Sequence, residues 1–209
     1  MNVVYTGDWT DADLEVYLDF CTGIGCPDVT CPVKLWLNES GARTTAHNPG
    51  GDASGLFQLM PETAKRLGWN TDTDPHLAAY RALSVSQQLQ WAAKYYAPHK
   101  GHLGSLGRCY VATFLPVLVD HGDEASFVLC APQGPFAWAY ADNKSFDVAE
   151  RGFITVQDLV DAAERASAGP RGQELIARIA WALRMRNTVP DREILSDTDP
   201  APPMPAEEA

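Results

Sequence analysis

The sequence has no apolar run that approaches the roughly 20 residues a membrane-spanning helix needs. Its first twenty residues also lack the basic segment and the continuous apolar segment of an export signal. We therefore expect no signal peptide and no insertion into a membrane. The chain is expected to be made in the cytoplasm, so that an action outside the cell would need another route of delivery.

Positive charge is scarce. The 209 residues include 16 Lys and Arg against 27 Asp and Glu, which gives a formal net charge of -11. An acidic protein is not broadly attracted to nucleic acid, and an anionic cell wall exerts no electrostatic pull on it. We therefore expect no nucleic-acid partner, and a wall would have to be recognised in a specific groove.

Clustered metal ligands are missing as well. Three of the five cysteines follow the spacing C-x4-C-x4-C, which differs from the tight C-x2-C pairs of zinc sites. That spacing and the odd count predict free, partly buried thiols. The five His form no H-x-x-x-H pair, so neither a metal nor another cofactor is expected. Residues 147–158 resemble an EF-hand loop, but Ala149 and Arg151 replace two of its ligands, and calcium binding is not expected.

Apolar periodicity predicts a mainly α protein. The predicted helices cover residues 11–20, 33–39, 61–68, 84–96, 106–115, 155–168 and 172–187. Glycine and proline predict a loop over residues 21–32, and residues 42–54 are expected to form a small β-hairpin or an irregular loop.

The same patterns predict the domain organisation. We expect one domain over residues 1–170, including the degenerate EF-hand-like loop, and a C-terminal helix over 171–187 that packs on it. Residues 188–209 contain five prolines, six acids and one base, which predicts an acidic disordered tail.

Residues 36–68 carry the candidate chemistry. Glu39 lies at the end of an apolar helix, just before Gly41 and a loop of small residues. A carboxyl group in that place is partly desolvated by the core and still borders a groove. Desolvation raises its pKa, as a general acid near neutral pH requires. Gln58, whose amide suits sugar hydroxyls, follows the loop, and Pro61 begins a new helix.

This segment resembles the catalytic core of soluble lytic transglycosylases and goose-type lysozymes. In that family a Glu-Ser pair closes a helix, and a loop leads to a block close to A-S-G-L-x-Q-x-M-P-x-T-A-x-x-L-G. Here Glu39-Ser40 precedes residues 53–68, which match the block at some dozen positions. The close resemblance covers residues 30–70, and a weaker one extends to about residue 160. It implies an α+β lysozyme-like fold, with the hairpin or irregular loop beside the active-site groove.

The resemblance implies roles by position. Glu39 matches the single catalytic acid and base of the family, and Gln58 and Met60 match residues that line its sugar groove. Asn48 lies in the loop where the family places a small polar residue near the catalytic carboxyl group. Ser54, within the matched block, is also expected to contact substrate.

Tyr110 is the candidate for a further site residue. The family has a later Ala-Tyr-Asn-Ala-Gly block, whose Tyr hydroxyl forms a hydrogen bond near the Glu. The nearest match is Cys109-Tyr110-Val111-Ala112, in which Val111 replaces the Asn and no Gly follows. This block and the following Phe114-Leu115-Pro116 are more similar to phage-encoded members of the family. The resemblance implies that Tyr110 lies beside Glu39 in the groove.

The implied activity is cleavage of the bond between N-acetylmuramic acid and N-acetylglucosamine in peptidoglycan strands, with a 1,6-anhydro product. One alternative is a hydrolase that uses water, for which Asp52 is the candidate base. Another is a non-catalytic wall-binding or virion structural protein. The expected lack of an export signal suggests a phage-encoded protein that acts at the wall from a virion or during lysis, and an unusual bacterial enzyme is the alternative. Other virion proteins would be partners in the first case.

Overall fold

The computed structural model describes residues 9–48 and 50–188. Within these ranges it contains nine α-helices: α1 (Asp11–Ile24), α2 (Thr30–Ser40), α3 (Pro61–Arg66), α4 (Ala78–Arg81), α5 (Val85–Tyr96), α6 (Leu106–Phe114), α7 (Ala137–Asp142), α8 (Val156–Ser167) and α9 (Pro170–Thr188). Three short 3-10 helices lie at Ala97–His99, Pro116–His121 and Lys144–Phe146. Strands β1 (Val128–Cys130) and β2 (Ile154–Thr155) form one antiparallel pair.

The predicted mainly α fold with a little antiparallel β structure is confirmed. Helices begin where the sequence offers side-chain caps. Ser84 accepts a hydrogen bond from the Gln87 backbone N–H, and Thr155 accepts one from Asp158. In both cases the third helical residue bonds back to the cap, which satisfies two N–H groups that a helix start leaves open.

The prediction of a continuous loop over residues 21–32 is wrong. Helix α1 continues to Ile24 and ends at Gly25, whose φ of 72° is the left-handed conformation that glycine favours at a helix end. Helix α2 begins at Thr30 and accepts Pro32 in its first turn, where a proline removes no helical hydrogen bond. Glycine and proline therefore mark the two helix termini of this segment.

Helix α2 is the centre of the core, and its apolar face is fully covered. It packs against α6, α8 and α9. The Trp36 ring lies 5.9 Å from the Tyr17 ring and 5.5 Å from the Phe20 ring, both on α1, and 6.4 Å from Phe57. This aromatic packing fixes the axis of α2, and with it the place where its C-terminal end emerges.

The C-terminal helix α9 packs against α1, α2 and α8. It is longer than expected, because Pro170 supplies its first turn and the helix runs through Thr188. Thr188 was predicted to open the disordered tail. The remainder of that predicted tail, residues 189–209, lies outside the described residues.

The five cysteines are buried free thiols, as the sequence predicted. The Sγ atoms of Cys26 and Cys109 lie 3.8 Å apart, so α6 touches the turn between α1 and α2 through this pair. Among the described residues, no helix combines the length and the apolar character that crossing a membrane would require.

The degenerate EF-hand-like segment is held by an arginine. The Arg151 guanidinium forms ion pairs with Asp147 and Asp158, the two acids at the ends of the calcium-loop pattern. The backbone N–H groups of Arg151 and Gly152 also donate to Asp147. In a calcium-binding loop, the two carboxylates would face the calcium ion. Here they face the guanidinium group of Arg151, which supplies the positive charge.

We expect calcium to have no effect on stability for this reason. The Tm should be the same in millimolar CaCl2 and in EDTA, whereas Arg151→Ala should lower the Tm by a few degrees because both carboxylates lose their cation. Differential scanning calorimetry measures both effects. A calcium-dependent rise in the Tm of the unmodified protein would contradict this account.

Candidate active site

Glu39 lies in the last turn of α2, and Gly41 determines where that helix stops. Gly41 adopts a φ of 64°, and its N–H and that of Ala42 bond back to the carbonyls of Leu37 and Trp36. Such a left-handed cap is accessible to glycine without strain. Helix α2 therefore ends just after Glu39. The Glu39 side chain lies between the core and a groove.

Burial changes the acidity of Glu39. Its carboxyl group is largely surrounded by protein and lines the groove, so desolvation raises the pKa of Glu39 above its ordinary value. Hydrogen bonds from Tyr110 and Asn38 act in the opposite direction, because they stabilise the carboxylate. Desolvation is the larger effect, and it favours a carboxyl group that holds its proton at higher pH than an exposed glutamate does.

A hydrogen-bonded chain of three side chains ends on this carboxyl group. The Tyr110 hydroxyl donates to Oε1 of Glu39 at 2.5 Å, and Nδ2 of Asn38 donates to the Tyr110 oxygen at 2.6 Å. Burial, and then the nearby Glu39 carboxylate, raise the pKa of Tyr110, so its hydroxyl keeps the proton it donates. The structure thus brings Tyr110 to Glu39, where the family resemblance implied it.

The loop after α2 is anchored to the helix by Ser40. Its hydroxyl oxygen lies 2.6 Å from the Leu56 carbonyl oxygen and 2.9 Å from the Trp36 carbonyl oxygen. The loop itself is irregular, with single β-bridges between His47 and Ser54 and between Ser54 and Leu59. Of the two predicted forms, the irregular loop is the one observed, and it borders the groove.

Gln88 on α5 holds the other side of this loop, and sequence reasoning missed it. The side chain is fully buried: Oε1 accepts from the Leu56 N–H, and Nε2 donates to the carbonyls of Thr44 and Tyr80. A buried amide with all these partners fixes the backbone it contacts. In the sequence, the one signal for a structural role of Gln88 is its place among the apolar residues of the helix predicted over residues 84–96.

Three predicted substrate-binding residues line the groove beside Glu39: Gln58, Met60 and Asn48. The Gln58 amide nitrogen donates to the Gly55 carbonyl at 3.1 Å, and its side-chain oxygen has no protein partner among the described residues. Met60 is 44% exposed, a large fraction for an apolar side chain. Asn48 Oδ1 accepts from the Gly50 N–H, which shapes the rim of the loop.

Ser54 does not line the groove, so the prediction that it contacts substrate is corrected. It is fully buried, and its hydroxyl donates to the Asp52 carbonyl and accepts from the Arg81 guanidinium at 2.9 Å. The two β-bridges of the loop both use its backbone. Small size and internal bonding make Ser54 a residue that shapes the loop.

Asp52, the alternative base for a hydrolase, also lies outside the groove lining. Its carboxylate is 3.1 Å from Nδ1 of His76, and both side chains are exposed to solvent. Its backbone has a φ of 59°, which is typical of an aspartate in a tight turn.

The groove has a volume of about 610 Å³, and part of its lining was not predicted from the sequence. Those from outside the loop after α2 lie on α6, on α7, in the 3-10 helix after α7 or, in the case of Asn143, between the last two: Thr113, Phe114, Trp138, Asp142, Asn143 and Phe146. The Phe146 ring lies 5.9 Å from the Tyr110 ring and 6.0 Å from Phe114. The groove therefore combines one buried acid, a second carboxylate, amide side chains and aromatic rings.

These features suit a ligand that is rich in hydroxyl and amide groups and lies next to a carboxyl group that can donate a proton. No protein-family model matches the chain, and the searches of curated proteins and of solved structures returned no significant match.

Proposed function

We propose that this protein cleaves the glycan strands of peptidoglycan as a lytic transglycosylase, with Glu39 as its single acid and base. The observation that carries the proposal is the Glu39 carboxyl group, which is desolvated, hydrogen-bonded by Tyr110 and open to a groove. The family resemblance of residues 36–68 supplies the substrate: the bond between N-acetylmuramic acid and N-acetylglucosamine.

In the proposed reaction, protonated Glu39 donates its proton to the glycosidic oxygen while the bond from that oxygen to C1 of the muramoyl unit breaks. The N-acetylglucosamine end leaves as an alcohol. The Glu39 carboxylate then takes the proton of the muramoyl C6 hydroxyl, whose oxygen bonds to C1. Glu39 is protonated again, no water is consumed, and the muramoyl end is a 1,6-anhydro sugar.

The mass of the products tests the proposal. Muropeptides released from purified peptidoglycan should be lighter by the mass of one water than those a hydrolase releases. Mass spectrometry of the soluble fraction measures this difference, with Glu39→Gln protein as the control. The absence of any release from several types of peptidoglycan would favour a wall-binding or structural protein.

A hydrolase is the second candidate, and the groove offers it an acid other than Asp52. Asp142 lines the groove, whereas Asp52 is paired with His76 outside it. A hydrolase with two carboxylates needs one to protonate the leaving oxygen and the other to activate water. If the products carry ordinary reducing ends, Asp142→Asn becomes the decisive variant.

Tyr110→Phe should shift the pH dependence of the reaction. The variant loses the hydroxyl that stabilises the Glu39 carboxylate, so the pKa of Glu39 should rise further. The alkaline limb of kcat/KM, which follows loss of the Glu39 proton, should therefore move to higher pH. We also expect the maximum to fall about tenfold, because the carboxyl group loses a charge-assisted hydrogen bond. If the alkaline limb of Tyr110→Phe lay at the same pH as that of the parent, Tyr110 would have no part in setting the pKa of Glu39.

A further inference from the structure

Helix α7 presents an exposed tryptophan and an unpaired carboxylate to the groove. Trp138 is 60% exposed, and both it and Asp142 line the cavity that contains Glu39. They are four residues apart, so they share one face of α7. The helix buries Ala139 and Tyr140 on its other side.

The short helix is held in place by contacts that leave Trp138 and Asp142 themselves unused. The Tyr140 hydroxyl donates to Asp147 at 3.0 Å, and Nδ2 of Asn143 donates to the Ala139 carbonyl at 3.0 Å. Phe146, which follows directly, packs against Tyr110, the hydrogen-bond donor to Glu39. The segment is thus tied both to the core and, through Tyr110, to Glu39, which fixes the backbone that carries Trp138.

An exposed indole in a groove favours a ligand with a flat apolar face. A pyranose ring presents C–H bonds on one face and hydroxyl groups around its edge, and stacking removes that face from water. Tryptophan has only two side-chain torsions to immobilise, so little conformational entropy opposes such contact.

The carboxylate of Asp142 selects among sugars. It makes no hydrogen bond or ion pair within the described part of the chain, so it is free to accept from a hydroxyl or an acetamido N–H. Its negative charge disfavours a ligand group of the same sign at close range. A neutral N-acetylglucosamine unit satisfies both conditions. The lactyl group of a muramic acid is ionised in a strand without peptides and would be repelled there, and in whole peptidoglycan it carries the bulk of the peptide stem instead.

We propose that Trp138 and Asp142 form a binding subsite for a neutral N-acetylglucosamine unit next to the cleaved bond. Trp138 stacks on the ring of this sugar, and Asp142 accepts a hydrogen bond from its hydroxyl or acetamido group. The subsite sets the register of the alternating strand, because a muramoyl unit shifted into this place brings its lactyl substituent to Asp142, with a peptide stem in whole peptidoglycan and with a free carboxylate in stripped strands. This inference rests on the proposed function.

The affinity for a tetramer of N-acetylglucosamine tests the stacking. The titrations are calorimetric and use the Glu39→Gln protein as the parent, so that the ligand is not cleaved. Three further proteins combine Glu39→Gln with Trp138→Ala, Trp138→Phe or Trp181→Ala. We expect Trp138→Ala to weaken binding about tenfold. Trp138→Phe should retain most of the affinity. Trp181→Ala is the matched control, because Trp181 is also exposed (53%) but lies on α9, outside the groove lining, and should bind as the parent does.

The charge selection is tested with glycan strands stripped of their peptides, whose lactyl groups are ionised. The preference is the ratio of the affinity for the neutral tetramer to the affinity for these strands. In the Glu39→Gln background, Asp142→Asn should reduce this ratio by about threefold at low salt. Added salt should also reduce the ratio of the parent. Asp72→Asn is the control, since Asp72 is an exposed acid that does not line the groove.

Equal tetramer affinity of the parent and Trp138→Ala would overturn the subsite, as would failure of the parent to bind the tetramer. If Trp138→Ala weakened binding only to peptide-bearing muropeptides, Trp138 would contact the peptide stem, and the proposed subsite would also be overturned. The unmodified protein is assayed in parallel on whole peptidoglycan. Release of anhydro products there, with unchanged tetramer affinity in Trp138→Ala, would refute the subsite and leave the proposed function standing.

Discussion

Glu39→Gln should reduce the release of glycan fragments from peptidoglycan by a factor on the order of 10³ or more. The amide has nearly the same shape as the carboxylic acid but cannot donate a proton to the glycosidic oxygen or accept one from the C6 hydroxyl. Because Glu39 serves both steps in the proposed reaction, its loss removes both at once. Turbidity loss and soluble muropeptides measure the effect.

The same variant should remain folded, and its stability has a defined pH dependence. Burial raises the pKa of Glu39 in the folded state, so at pH values between its ordinary and its raised pKa the folded protein holds a proton that the unfolded chain releases. The free energy of unfolding therefore falls as pH rises through this window. Glutamine does not ionise, so Glu39→Gln should be at least as stable as the parent above the window, and the difference should vanish below it.

Urea denaturation at several pH values checks this expectation and separates a catalytic role from a structural one. A folded Glu39→Gln protein with undiminished activity would refute the mechanism. An unfolded one would mean that the carboxyl group holds the groove together, and loss of its activity would say nothing about proton transfer.

Gly55→Ala should destabilise the protein by about 3 kcal/mol. Gly55 has a φ of 74°, and a Cβ atom there would lie 2.4 Å from Oε1 of Gln88 and 2.6 Å from the Tyr80 ring. Both neighbours are fully buried, and the three hydrogen bonds of Gln88 leave its amide no room to move. The substitution should therefore distort the loop that carries Gln58 and Asn48, and activity should be lost with stability.

Gly101→Ala is the matched control. Gly101 has a similar backbone conformation, with a φ of 89°, but a Cβ atom there would meet nothing within 4 Å. We expect a loss of only about 1 kcal/mol, the contribution of the left-handed backbone by itself. Urea denaturation of both variants at one pH gives the difference, which measures the steric contact at Gly55. Equal losses would show that the close packing around Gly55 does not constrain the loop.

Local signals in the sequence were sufficient for most of the helices. Ser84 and Thr155 mark helix starts because each can bond to the backbone three residues later, within the same segment. Gly41 marks the end of α2 for an equally local reason, and so the position of Glu39 at a helix end could be predicted. Helix α7, with six residues and no extended apolar periodicity, gave no such signal.

Some residues of the candidate site could likewise be predicted from the local sequence, and the position of others depends on the tertiary fold. Glu39, Gln58 and Met60 lie close together in sequence around one loop, so a local motif was enough to associate them. Ser54 belongs to the same motif, but its orientation depends on Arg81, and only the fold shows that its hydroxyl is turned inward.

The sequence by itself determined the helical character, the helix that ends at Glu39, and the loop that brings Gln58 beside it, because each depends on bonds between residues near one another in the chain. The family resemblance already implied that Tyr110 lies beside Glu39. Only the tertiary structure decided that Asn38 donates to Tyr110, that Gln88 anchors the loop, and that Trp138 and Asp142 complete the groove. Those contacts join segments many residues apart. They follow from how the helices pack around α2, and packing is a property of the whole chain.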